Sequence, residues 1–309
     1  MTALVAVSAY LPAQRVSIVD LSARLQLTST QVKVFQRFHG LSEVCRDEGT
    51  VHDLLTRTIR TLTALRGNEH LVKYVLHARG MPAVVPYPMN PLHDVCRQVG
   101  LGHAQAFTVT HHACATSLLA IDIAGRLLAA DGDPDAMALV LAGEKTFTRD
   151  AELVPETSLF GEGAGACLVR AGGDRDRLLA YVTHLRGDFD GRLVEDAELL
   201  GRFQREYPEA LAAVIEAAAD RAGLRLDDLA LILPHNVNAV SWRRLSKRIG
   251  FPLDRVLLDN VPLTGHCFAA DAFINYQTAA ERGLLQPGDR YLIAAAGLGA
   301  TFSAMVLQH

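Results

Sequence analysis

Cysteine is sparse in this sequence. Five residues in 309, Cys45, Cys96, Cys114, Cys167 and Cys267, form no CxxC pair and no regular framework, so neither a disulfide scaffold nor a zinc knuckle is indicated, and free thiols with no metal site are expected. Long hydrophobic runs are scarce as well. The opening MTALVAVSAYLPAQRV has no basic start and is broken at Ser8 and Pro12, and no stretch reaches the roughly 18 uncharged apolar residues of a membrane span. A cytoplasmic protein without a membrane partner is the expectation. An excess of charge is missing too: 30 Lys and Arg against 34 Asp and Glu leave a formal −4, which gives no general attraction to nucleic acid. The glycine-rich GEGAGA, Gly161 to Ala166, lacks GxGxxG spacing into a helix and leads into the strand-like CLVRA, so it does not read as a dinucleotide site.

What is present is the balance of a compact enzyme, with 50% hydrophobic residues, 21% charged residues and 24 glycines. The length suits one or two lobes. Short β-rich runs (TALVAVSAYL, AMALVLAGE, GACLVRA, LALILPHN, RYLIAAAGLG) alternate with helical segments such as Thr116 to Ala130 and Pro208 to Ala222, which is an α/β layout. Glycines and then charges break the pattern between Gly172 and Arg177, and a new strand begins at Leu178. The expected halves are therefore 1–173 and 174–309. Each ends in a glycine-rich turn running into an apolar strand, GEGAGACLV and GLGATFSAMVL, a sign of duplication.

In FTVTHHAC a strand is read as running up to Cys114, and the following ATSLLAIDIAGRLLAA is apolar on all sides, as a buried helix is. A thiol at the mouth of such a helix meets unpaired N–H groups and the positive end of the helix dipole, which favour the thiolate. Two histidines occupy similar junctions. His235 follows the strand LILP and, with Asn238, leads into a helix whose exposed side carries Arg243, Arg244, Lys247 and Arg248. His266 follows Gly265 before another small-residue helix. One thiol and two imidazoles so placed are the parts of a nucleophilic acyl-transfer site.

Order and context of these segments resemble the thiolase superfamily, most closely its β-ketoacyl-acyl-carrier-protein synthase III branch. Carrying the resemblance are YLPAQRVS, HHACATSLLAI, LAGEKT, SLFGEGAGACLV, LPHNVN, TGHCFAADAF and GDRYLIAAAGLGATFSAMVL, which span nearly the whole chain. It implies duplicated βαβαβαββ halves stacked as a five-layer α-β-α-β-α sandwich, normally in a homodimer. It also implies Cys114 as the acylated nucleophile, His235 as the first base, and the N–H groups of Cys114 and Gly299 as the oxyanion hole. Phe160 matches a position close to the site, and Asn238 is a possible support. Substrates would be carried as phosphopantetheine or coenzyme A thioesters, with no resident cofactor.

Two departures shape the expected function. His266 stands where the branch carries asparagine and resembles the Gly-His turn of the elongating synthases, so the site becomes Cys-His-His and suits decarboxylative condensation. Near QVKVFQRFHG the branch's tryptophan is missing; Val34 or Phe35 lies near its place, Arg37 and Gly40 survive with altered spacing, and Trp242 is the only tryptophan. This tilts the acyl donor toward an acyl carrier protein, whose acidic surface would suit Arg243, Arg244, Lys247 and Arg248. The reading is an acyl-thioester transferase of fatty acid, polyketide or other specialised metabolism that loads Cys114 and condenses the acyl group with a malonyl-type thioester. Transfer to an amine or hydroxyl is the alternative, and a non-catalytic partner subunit a second. A papain-like cysteine hydrolase lacks its sequence flanks here.

Overall fold

The computed structural model describes residues 1–81, 85–86, 88–149, 151–189 and 196–309. Its main sheet is built from β1 (Thr2–Tyr10), β2 (Val72–Ala78), β3 (Gln105–Val109), β4 (Met137–Gly143), β5 (Ala164–Ala171), β6 (Arg177–Leu185), β7 (Leu229–Pro234), β8 (Arg290–Gly297) and β9 (Thr301–Gln308). The strand order is β7-β8-β9-β6-β1-β5-β4-β2-β3. The principal helices are α1 (Val51–Thr61), α2 (Pro91–Gln98), α3 (Thr116–Asp131), α4 (Ala197–Arg221), α5 (Ala239–Ile249) and α6 (Asp271–Glu281).

The order repeats itself about the β1–β6 seam, where Ala3 pairs with Arg177. On one side β1, β5 and β4 pair antiparallel and β4, β2 and β3 run parallel. On the other, β6, β9 and β8 pair antiparallel and β8 and β7 run parallel, with a parallel bridge from Ile232 to Val256 where the partner of β3 would lie. In chain order each side reads βαβαβα followed by two antiparallel strands, although only a bridge represents the third strand of the second side. This is the duplicated thiolase-like architecture.

Burial sets the layers. Leu118, Ile121, Leu128, Phe273 and Ile274 of α3 and α6 form one core with Leu76, Val140 and Val169 of the first side and Leu231, Ile293 and Leu307 of the second. The opposite strand faces pack outward, Val75, Leu139 and Leu168 against α1 and α2, and Ile232, Leu292 and Val306 against α4 and α5. Strands covered on both faces need continuous apolar runs, which is why MALVLAG is buried throughout. Each fully buried Leu or Ile contributes about 1.5–3 kcal/mol.

The segment Ala113–Asp131 is long and apolar enough by composition to cross a membrane, but it is not uncharged, its apolar side chains fill the central layer, and its Asp122 and Arg126 pair at 2.8 Å on the exposed edge. Two expectations change. The strand before the cysteine stops at Val109, and a turn with positive φ at His111 and Ala113 separates the two. Helix α4 starts at Ala197, capped by Asp196, and continues through Pro208. Proline resembles a helix start because it lacks an N–H; inside α4 the cost is one helical hydrogen bond, outweighed by the buried face of Phe203, Tyr207, Leu211 and Ile215.

Candidate active site

Cys114 lies in the 3-10 turn Ala113–Ala115 that feeds α3 and is 6% exposed. The turn is strained, with φ of 45° at Ala113, and is closed by the Ala115 N–H donating to the His112 carbonyl at 3.0 Å and the Thr116 hydroxyl donating to the Ala113 carbonyl at 2.7 Å. From the other side the end of β8 closes in. A Cβ at Gly297 would lie 2.2 Å from the His112 oxygen and 3.1 Å from the Cys114 nitrogen, so only glycine allows this approach.

The two histidines stand side by side with ring centroids 5.7 Å apart, each 3% exposed. Asp271, the first residue of α6, holds His266: its Oδ2 is 2.5 Å from His266 Nδ1, and it also accepts the N–H groups of Asn236 at 2.5 Å and Cys267 at 2.8 Å. With Nδ1 so engaged, the other ring nitrogen is the one left to face the nearby Cys114 thiol, which helps to hold a proton on the ring. Burial by itself would push the His266 imidazole down, but Cys114 and Asp271 outweigh it and hold it up at about 10. His235 goes the other way. Burial, reinforced by His266, lowers it to about 3, so it is neutral at physiological pH. Its Nε2 lies 2.9 Å from the Tyr207 hydroxyl, and its carbonyl accepts the Trp242 indole N–H at 2.8 Å. Behind both loops Asn275 donates to the Pro234 carbonyl at 2.6 Å and the Asn236 amide at 2.8 Å. Apart from His235 Nδ1, these buried polar groups are bonded to one another, as burial requires.

A cavity of about 250 Å³ opens onto Cys114, His235 and His266. Phe160 forms part of its wall, 5.0 Å from the His266 ring and stacked 4.4 Å from Phe268. Asn238 also lines it, but both ends of its amide are engaged, capping α5 through the Ser241 N–H at 2.7 Å and donating to the Thr157 carbonyl at 3.0 Å. From the glycine-rich turn after β8, Gly297 and Leu298 reach the cavity; Gly299, expected there, is not among the lining residues. The lining ends one residue earlier because Gly297 is the point of closest approach to the nucleophile turn.

The basic cluster is divided. Arg244 lines the cavity, Arg243 donates to the Phe38 carbonyl at 2.7 Å, Arg248 pairs with Glu209 at 2.8 Å and approaches Glu216 at 3.8 Å, and Lys247 is exposed. Trp242 is 1% exposed and serves the core beside His235. Where the family's coenzyme-gripping tryptophan was sought, Phe35 is buried in a small core, Val34 is half-buried, and the exposed aromatic is Phe38.

Sequence reasoning missed Asp271, Tyr207, Asn236 and Glu144. Asp271 had a signal, since it is the lone charge in CFAADAFINY. Tyr207 had none, because it lies just before the proline taken as the helix start. Glu144, 1% exposed, accepts the N–H groups of Gly80 at 2.7 Å and Met81 at 2.8 Å, and Met81 packs against the apolar side of the cysteine pocket.

Residues 219–309 match the family model described as 3-Oxoacyl-[acyl-carrier-protein (ACP)] synthase III C terminal. The Beta-ketoacyl-[acyl-carrier-protein] synthase III of Ruegeria sp. (strain TM1040) is 31% identical over 229 residues, covering 68% of this chain and 69% of that protein. The chain belongs to the β-ketoacyl-[acyl-carrier-protein] synthase III family. A second member, from Paramagnetospirillum magneticum (strain ATCC 700264 / AMB-1), is 27% identical over 320 residues, 97% of this chain and 96% of its own. The crystal structure of 3-oxoacyl-[acyl-carrier-protein] synthase III from Aquifex aeolicus VF5 superposes with a TM-score of 0.84, covering 100% of both chains at 22% identity. The synthase III family is a family of acyltransferases, and membership makes this chain an acyltransferase.

Proposed function

We propose that the chain loads an acyl group from a thioester onto Cys114 and passes it to a second substrate in the same cavity. The observation that carries this is the buried thiol facing an imidazole whose far nitrogen is fixed by a carboxylate, Cys114–His266–Asp271. His266 takes the thiol proton, the sulfur attacks the thioester carbonyl, and the oxyanion is held by the Cys114 N–H and by an N–H of the Gly297–Leu298 turn, in place of the expected Gly299. The donor C–S bond breaks, and the departing thiolate takes the proton back from His266.

Decarboxylative condensation is the second half-reaction that family membership favours. The malonyl-type acceptor loses carbon dioxide, its electron pair forms an enolate whose oxygen is held on the histidine side, and the enolate carbon attacks the acyl carbonyl as Cys114 leaves. Asp271 favours a second reading, transfer to a hydroxyl or amine, because an imidazole held on a carboxylate is a strong base toward a protic acceptor. Retention of Cys114, His235 and His266 around one cavity speaks against a non-catalytic partner subunit.

The donor is read as an acyl carrier protein or coenzyme A thioester, with no resident cofactor, in a cytoplasmic enzyme of halves 1–173 and 174–309. A homodimer is part of the proposal: β3 is an edge strand with Phe107 37% exposed, and unpaired edges are normally covered. The test is intact mass after incubation with acyl thioesters, followed by malonyl-carrier or small nucleophiles. Cys114→Ala abolishes the adduct, whereas Cys96→Ala and Cys167→Ala retain it; burial pushes the Cys96 thiol up to about 11 and Cys167 higher still. An adduct on another cysteine refutes the assignment. Carbon dioxide release with chain extension selects condensation over transfer to oxygen or nitrogen.

A further inference from the structure

We propose that the Tyr207 hydroxyl, backed by His235, is the hydrogen-bond donor that the cavity offers to the carbonyl oxygen of the acceptor thioester. This rests on the reading of Cys114 as the acylated group and names the residue that serves the second half-reaction.

The argument starts from two neutral groups sharing one bond. Burial, with the nearby Cys114 sulfur, drives the Tyr207 phenol far above its ordinary value, and burial drives His235 down to about 3, so neither ionises at working pH. His235 Nε2 and the Tyr207 oxygen are 2.9 Å apart. On the far side of the ring, Nδ1 is buried and has no hydrogen bond of proper geometry among the described residues. The Ala294 carbonyl lies close enough to favour a proton on the ring, but the bond it accepts from this residue is the backbone N–H at 3.0 Å, and Nδ1 makes no aligned bond to it.

A ring proton on Nδ1 would therefore leave a buried N–H donor unpaired, which native structures tolerate less readily than an unpaired acceptor. Placing it on Nε2 makes that nitrogen the donor to the Tyr207 oxygen. The phenol proton is then free to point into the cavity that Tyr207 lines together with Cys114 and His266. An acceptor carbonyl meets Tyr207 first and His235 through it. When the acceptor loses carbon dioxide, the electron pair of the broken C–C bond becomes the enolate, and its oxygen is stabilised by the Tyr207 O–H without a proton changing hands. The carbon then attacks the acyl group and the Cys114 C–S bond breaks.

The test separates the half-reactions. Tyr207→Phe keeps the ring and removes the hydroxyl, so Cys114 loading, timed by intact mass with an acyl thioester, stays within about twofold, because its oxyanion rests on backbone N–H groups. Condensation with malonyl-carrier loses roughly 10²-fold in kcat, the size of one lost oxyanion donor, with KM little changed. Replacing Tyr207 by fluorotyrosines, which keep the shape and alter phenol acidity, shifts kcat and leaves loading alone; a structural role would move neither. Unchanged transfer in Tyr207→Phe, or equal slowing of both half-reactions, overturns Tyr207 and leaves the Cys114 reading standing. Failure of the unmutated enzyme to load Cys114 from any thioester refutes the functional reading instead, and the pair is then decided by nitrogen NMR of labelled histidine. His235 protonated on Nε2 supports the assignment, and protonation on Nδ1 overturns it.

Discussion

At the scale of the residue, the site is a set of opposed protonation preferences. Asp271 and Cys114 hold a proton on His266 while burial strips one from His235, so two histidines 5.7 Å apart play different parts. Asp271→Asn removes the charge that supports His266 and nearly preserves its shape. Loading of Cys114 should slow by at least about 10²-fold, as when the orienting carboxylate of a nucleophile–histidine pair is lost, with circular dichroism confirming that the fold survives. Loading at the unmutated rate would show that His266 does not take the thiol proton. Glu144 offers a second test. Burial raises its carboxyl to about 7, against the opposing N–H groups of Met81 and Gly80. The folded state thus binds this proton more tightly than the unfolded chain, so the stabilisation is fully present below about pH 4.5 and is lost as pH rises toward 7. Urea unfolding at pH 5 and pH 8 should show the unmutated protein losing on the order of 3 kcal/mol relative to Glu144→Gln; equal pH dependence would refute the raised value.

Cys114, His235 and His266 were legible because each stands in a turn that leads into a helix and is marked by small residues, a local pattern that sequence displays directly. Tyr207 was not, because its partner His235 is set by packing 28 positions away; Asp271, five positions from His266, was overlooked although it is the lone charge of its segment. Gly299 was expected at the cavity, whose lining ends at Leu298; alignment by motif does not reveal that Gly297 makes the close approach to the nucleophile turn.

At the scale of the element, the alternation of strand and helix was readable, and the repeated chain endings foretold the equivalent β5 and β9. Helix α4 was misjudged because proline propensity is local and its buried face is not. Helix α3 makes a sharper test of packing against propensity. Gly125→Ala should gain roughly 1 kcal/mol of helix propensity, yet the new Cβ would lie 2.0 Å from the Thr2 hydroxyl oxygen and 2.8 Å from its Cβ. Overpacking costs about 1–3 kcal/mol, and with β1 at the central seam the cost should win. Denaturant midpoints should fall in Gly125→Ala, and Thr2→Ala in the same chain should restore only part, since the Thr2 Cβ contact remains. A stabilised Gly125→Ala would mean that α3 can slide within the central layer.

At the scale of the whole molecule, a chain of net charge −4 places a basic helix at the mouth of its cavity, and the four residues on it are not equivalent. Arg248 lies against Glu209 and Glu216, Arg243 is tied to the Phe38 carbonyl, Arg244 lines the cavity and Lys247 projects from the surface. If an acidic carrier protein delivers the acyl group, Lys247 acts through long-range attraction that salt screens over about 10 Å at 0.1 M, while Arg244 meets whatever enters the cavity. Lys247→Glu should therefore slow loading of Cys114 from an acyl carrier by roughly 3- to 10-fold at low salt, with the deficit shrinking as salt rises, and should leave loading from a short pantetheine thioester unchanged. Arg244→Glu should slow both donors. Both rates can be followed by intact mass of the acyl adduct. Equal slowing of the two donors by Lys247→Glu would assign α5 to the fold rather than to a partner, and faster loading from acyl-coenzyme A than from any carrier would move Phe38, the exposed aromatic beside Arg243, to the centre of donor recognition.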